Sequence, residues 1–164
     1  MITIGADIPT HACLYANAHA LARYAAICQE ASIVPMIEPE VLLEGSHTVE
    51  RCEEVTEATL RATFAALAAY NVAYEHTILK ASMVVSGNAN ARQAGVDEVA
   101  ERTLRVLRRT VPSALPGVVF LCALVAVGYV LEEGLLPNFL SEDWIDREVR
   151  GKGVSGELLY LAVG

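Results

Sequence analysis

Residues 33–40 read IVPMIEPE, and two features of that octapeptide decide the fold class. Ile33 to Ile37 is apolar on both faces, the pattern of a strand covered by helices on one side and by other strands' side chains on the other. Pro39 has no N–H to give to a ladder, so the strand ends at about Glu38. Glu38 and Glu40 lie two positions apart and share a face wherever the backbone stays extended. A strand buried on both faces calls for a parallel sheet whose strands are joined by helical crossovers.

The flanking sequence supplies those crossovers. Upstream, Leu21, Tyr24, Ala25 and Cys28 recur at helical spacing, which predicts a helix over 17–31. Downstream, a loop containing Gly45 leads to Thr48 as an N-cap, after which Cys52, Val55, Thr59, Ala62, Thr63, Ala66 and Tyr70 trace one face of a helix over 49–70. Residues 74–80 read as the next strand, followed by a polar loop through Ser86, Gly87, Asn88 and Asn90. A third helix over 97–110 carries Val96, Val99, Ala100, Thr103, Leu104 and Leu107 on one face with charges opposite, and Pro112 and Pro116 end it. Residues 117–121 are a third buried strand. The order is α-β-α-β-α-β, the signature of parallel βαβ units.

Composition sets bounds on function. A net charge of -8 and no basic patch argue against a nucleic-acid partner, whose phosphates need clustered Lys and Arg. The 164 residues are enough for one domain but short of the ~250 of a closed eight-stranded α/β barrel. A mean hydropathy of +0.38 fits a body buried on several sides or a piece of one. Cys13, Cys28, Cys52 and Cys122 form no C-x-x-C pair and read as small core residues in a reducing compartment. His11, His19, His47 and His76 lack the spacing that would aim two of them at one ion, so no metal is expected. With no basic n-region and apolar h-region at the start, the expectation is cytoplasmic. The uncharged run Val118 to Leu131 is shorter than the ~20 residues of a spanning helix, so a membrane partner is not expected.

Two strands end in ionisable groups. Lys80 follows Ile78 and Leu79 directly, so an apolar strand carries its amine to the sheet's C-terminal edge, and apolar surroundings favour the neutral amine that imine formation needs. A carboxyl from the neighbouring strand can protonate the departing carbinolamine hydroxyl. On spacing alone, a strand-end lysine and a Glu-Pro-Glu turn are more often solvated than catalytic.

The runs Asn17-Ala-His-Ala-Leu-Ala-Arg-Tyr-Ala-Ala-Ile-Cys-Gln, Ile33-Val-Pro-Met-Ile-Glu-Pro-Glu, Ile78-Leu-Lys-Ala-Ser-Met-Val and Leu107-Arg-Arg-Thr-Val-Pro together resemble four consecutive blocks of the class I fructose-bisphosphate aldolases, over about residues 17–121. The resemblance implies an α/β fold, a partial (β/α)₈ or TIM barrel of about three parallel strands. It implies a metal-free and cofactor-free lyase that cleaves a sugar bisphosphate, fructose 1,6-bisphosphate, in glycolysis. By the same resemblance Lys80 is the Schiff-base lysine, Glu38 the general acid/base and Glu40 a supporting carboxylate.

Departures qualify that expectation. After Lys80 the family usually reads Pro-Asn, where this chain has Ala81-Ser82. After Leu121 the family continues Ser-Gly-Gly-Gln, a phosphate-holding loop, whereas Cys122-Ala-Leu-Val stands here, and side chains at those positions prevent close backbone approach to an anion. Residues 122–164 resemble nothing, as a change of reading frame after Leu121 would produce. The early barrel strands are also absent, the chain starting just before the fourth barrel helix. The expectation is therefore an inactive fragment that self-associates into a homo-oligomer or aggregate. The alternatives are a non-catalytic half-barrel acting only through other chains, or a membrane-attached protein using Val118 to Leu131.

Overall fold

The computed structural model describes residues 1–120, and Met1–Leu121 form one compact unit. Three helices, α1 (His11–Glu30), α2 (Val49–Ala69) and α3 (Val96–Thr110), alternate with three strands, β1 (Met36–Ile37), β2 (Ile78–Ala81) and β3 (Gly117–Phe120). The strands lie side by side in chain order, all parallel. This is the expected run of βαβ units. Residues 121–164, with Cys122 and most of the apolar run from Val118, lie outside the described residues. Val118 to Phe120 belong to β3, and no helix among the described residues is long and apolar enough to cross a membrane.

Several boundaries differ from the sequence reading, for identifiable reasons. The first helix begins at His11 because the Thr10 hydroxyl accepts from the Cys13 N–H, an N-cap earlier than the apolar spacing suggested. Thr48 caps α2 as expected, accepting from the Arg51 N–H. Both helices end with a left-handed residue, Ser32 (φ 60°) and Asn71 (φ 54°). The Ile33 N–H reaches back to the Cys28 carbonyl and the Val72 N–H to that of Leu67, closing Schellman caps.

The first strand is shorter than 33–38. Its ladder holds only Met36 and Ile37, between two prolines that cannot donate. Nor are Ile33 and Val34 covered: they are 59% and 58% exposed, whereas Ile37 is fully buried. The second strand starts at Ile78, after a single 3₁₀ turn over Tyr74–His76. There the Gln29 side-chain amide donates to the Ala73 carbonyl and the Thr77 hydroxyl and accepts from the Ala73 N–H. The end of α1 thus shapes the approach to β2.

Ile37 and Leu79, both fully buried, pack on the helical side with Leu60 and Leu67 of α2. Ala18, Ala22 and Ala25 are buried along α1, their small side chains allowing close helix packing, while Tyr24 of the expected face is 47% exposed. Of the described cysteines only Cys52 is buried; Cys13 and Cys28 are half-exposed. On α3 the buried positions are Thr103 and Val106, and Val96 and Leu104 are 86% and 49% exposed. The helix is rotated because its charged side faces α2. Arg102 meets Glu53 at 2.6 Å and Glu50 at 2.7 Å, Arg105 meets Glu53 at 3.3 Å and Arg109 meets Glu57 at 3.4 Å. Residues expected to point to water form a charged seam between helices. Thr103 is buried for a further reason: its hydroxyl accepts from the buried Val84 N–H at 2.9 Å.

The loops after β1 and β2 are clasped together at the sheet's C-terminal edge. The Gly87 N–H donates to the His47 carbonyl, that of Asn88 to Leu43 and that of Ala89 to Gly45, each at 2.9 Å. The Asn88 side-chain oxygen accepts from the Gly45 N–H. A Cβ on Gly87 would fall 2.3 Å from the Gly45 carbonyl oxygen, so only glycine permits this approach. The His47 imidazole is buried at the clasp with neither ring nitrogen hydrogen-bonded among the described residues, and that burial lowers its pKa.

Two measurements check this fold. Thr103→Val keeps the shape but leaves the Val84 N–H unpaired, and urea denaturation should show a loss of about 1–3 kcal/mol; an unchanged midpoint would count against that bond. Because His47 is harder to protonate folded than unfolded, its contribution is intact above the unfolded value of about 6.5 and is lost as pH falls below it. His47→Phe should therefore flatten the decline in stability below that pH, and identical slopes for the two proteins would refute the assignment.

Candidate active site

Strand parity decides which side chains reach the reactive face. In β2 the residues alternate, Leu79 and Ala81 buried against the helices and Ile78 and Lys80 on the opposite face, half-buried. The register pairs Met36 with Ile78 and Ile37 with Leu79; carried one step on, it sets Glu38 beside Lys80. Lys80 Nζ donates to Glu38 Oε2 at 2.8 Å, the two side chains being 22% and 44% accessible. These residues, 42 positions apart in the sequence, meet because two parallel strands end at the same edge.

Glu40 stands apart from that pair. It is half-buried and, with Glu38 and Pro39, forms part of the wall of a cavity of about 200 Å³ lined also by Ile2, Asn17 and Thr59. Among the described residues no ion pair joins Glu40 to Lys80. Its backbone is fixed instead: the Ile2 N–H donates to the Glu40 carbonyl at 2.8 Å, and the Leu42 N–H donates to the Ile2 carbonyl at 2.9 Å. Ile2 bridges Val41 in parallel fashion, so the segment before α1 runs alongside residues 40–42, just after β1. The sequence reading gave Met1 to Ile4 no role. Their signal was the alternation of Ile2 and Ile4, both buried.

A primary amine held at hydrogen-bond distance from a carboxyl, at the open end of a parallel sheet, can exchange a proton with it and can attack a carbonyl carbon placed over the edge. Val119 is the strand neighbour of Lys80 on its other side and brings no ionisable group.

A family model described as fructose-bisphosphate aldolase class-I matches residues 1–126. The match takes in the segment ahead of Asn17 that the quoted blocks leave out. A probable fructose-bisphosphate aldolase class 1 of Xanthomonas axonopodis pv. citri is 60% identical over 121 residues, covering 74% of this chain and 36% of that protein. The cytosolic fructose-bisphosphate aldolase 6 of Arabidopsis thaliana is 46% identical over 121 residues, covering 74% and 34%. Among solved structures, a ternary complex of fructose-bisphosphate aldolase from Plasmodium falciparum superposes with a TM-score of 0.71 at 42% identity, covering 73% of this chain and 35% of that one. The chain thus spans about a third of the length of these relatives. With the parallel strands and the order of the elements in agreement, the chain belongs to the class I fructose-bisphosphate aldolase family.

Proposed function

We propose that Lys80 forms an imine with the ketone of a sugar phosphate, that Glu38 carries the protons and that Glu40 supports the charge balance of the site. The observation that supports this reading is the 2.8 Å contact between Lys80 Nζ and Glu38 Oε2. An ammonium proton passed to Glu38 leaves a neutral amine, which adds to the ketone carbon. The same carboxyl then returns a proton to the carbinolamine hydroxyl as the C–O bond breaks, and water departs. The imine nitrogen withdraws electrons from the adjacent carbon, so this chemistry calls for neither a metal nor an organic cofactor. In a complete relative the substrate would be fructose 1,6-bisphosphate, cleaved to two triose phosphates.

We also infer that this chain alone cleaves that substrate at a negligible rate. Cys122-Ala-Leu-Val stands where the family has its phosphate-holding glycines, and positioning through the phosphates can be worth an effective molarity of ~10⁵ M or more. We take the aldolase-like unit to be residues 1–121, with 122–164 outside the site, and the location to be cytoplasmic, in keeping with relatives named cytosolic and cytoplasmic. One observation favours a role through association: Val118, Val119 and Phe120 are 36–40% exposed, and among the described residues their strand stands at the edge of the sheet, a position that invites pairing with another chain.

Incubation with dihydroxyacetone phosphate and a hydride reductant should give a slowly formed adduct on Lys80 by mass spectrometry. Lys80→Met should abolish it and Glu38→Gln slow it by about 10²-fold. Coupled cleavage of fructose 1,6-bisphosphate should stay near background; turnover close to that of an intact aldolase would overturn the inactive-fragment reading. Light scattering at micromolar concentration should find species larger than the 17.6 kDa chain, and a monodisperse monomer would argue against self-association.

A further inference from the structure

We propose that Ser82 is a positioning residue for the Lys80–Glu38 pair, its hydroxyl replacing the ladder bond that Pro39 takes away. The inference rests on the imine-forming reading of that pair. Carrying the β1–β2 register onward sets Glu38 beside Lys80 and Glu40 beside Ser82. Between those two rows stands Pro39, whose nitrogen cannot donate to β2. Without another bond, the backbone carrying both glutamates would leave the sheet at the position where Glu38 must be held. The next free amide, Val41 N–H, donates not to a backbone carbonyl of β2 but to Ser82 Oγ, at 3.1 Å. Val41 is buried, 6% exposed, so solvent is a poor substitute for that acceptor. From the other side Ile2 accepts from Leu42 and donates to Glu40. The Glu-Pro-Glu segment is therefore fixed on both edges, and Ser82 supplies the hold on the edge that faces Lys80.

Threonine and asparagine also carry a side-chain oxygen that accepts an N–H at short reach. What the position requires is then an oxygen acceptor of short reach. With alanine there, residues 38–41 are held only at the Ile2 edge. Glu38 then spends less time within the 2.6–3.2 Å needed to hand a proton to the carbinolamine hydroxyl.

The test uses the full 164-residue chain and dihydroxyacetone phosphate as probe. Cyanoborohydride donates hydride to the protonated imine carbon, and the rate of adduct formation on Lys80 is followed across mildly acid to mildly alkaline pH. Ser82→Ala should slow labelling by about 10-fold or more at neutral and alkaline pH, and by less at acid pH, where hydronium replaces Glu38 as proton donor. Ser82→Thr and Ser82→Asn should return the rate to near the wild-type value. Circular dichroism would verify that each variant is folded. Labelling of Ser82→Ala at the wild-type rate would overturn the inference while leaving Lys80 as the imine-forming residue. So would an equal slowing at every pH, or failure of both replacements to recover, since either marks a purely structural role. If the wild-type chain is not labelled at Lys80, the reading of the pair falls and this inference falls with it.

Discussion

Of the three residues between Pro35 and Pro39 only Met36 and Ile37 join the ladder with β2, and neither proline nitrogen carries a hydrogen to donate. That constraint governs the sheet's C-terminal edge. Pro35 still accepts, from the Ile78 N–H at 3.0 Å, so β2 is registered against β1 from one end. Ile37 and Leu79, both fully buried, then fix the register by burial. The ion pair between Lys80 and Glu38 contributes little to this arrangement, since a partly exposed pair is worth about 0–1 kcal/mol. Burying two large aliphatic side chains is worth about 1.5–3 kcal/mol each. The sheet holds the pair in place rather than the pair holding the sheet.

Behind the sheet, α2 serves two neighbours with different chemistry. Toward α1 and the strands it offers Val55, Leu60, Phe64 and Leu67, with Thr59 and Thr63 among them. Those hydroxyls donate to the carbonyls of Val55 and Thr59, at 2.7 and 2.8 Å, so they are buried without being left unpaired. Toward α3 it offers Glu50, Glu53 and Glu57, and the Arg102 guanidinium meets the first two. Its hydrogen bonds to Glu53 and Glu98, with the charges of Glu50 and Glu53, hold Arg102 firmly protonated. The apolar side sets how deep the helix sits, and the charged side sets the position of α3 along it.

Much of this was written in local pattern. The number and order of the elements, the Thr48 cap, the parallel sheet and the convergence of Lys80 with Glu38 all follow from periodicity and from where strands end. What escaped depended on neighbours. Apolar spacing on α3 pointed to Val96 and Leu104, but a hydrophobic stripe cannot reveal that arginines on the other side have glutamates waiting on α2. The approach to β2 looked strand-like through Tyr74 and Glu75, yet a glutamine far back on α1 bends it into a turn. The partner of the Glu40 backbone also escaped: Ile2, in a segment to which the sequence gave no role, holds it and shares the wall of its cavity.

The alternation along β2 can also be regarded as an addressing system. Leu79 and Ala81 are assigned to the interior and Ile78 and Lys80 to the open face by parity alone. Loss or gain of one residue before Lys80 would reassign every position of the strand at once, sending the amine into the core and an aliphatic side chain to the edge. A change of two residues would keep each group on its own side and only move it along the edge. Evolution can therefore slide the chemistry of such a sheet in steps of two, whereas single-residue slips are eliminated by the core before function is ever tested.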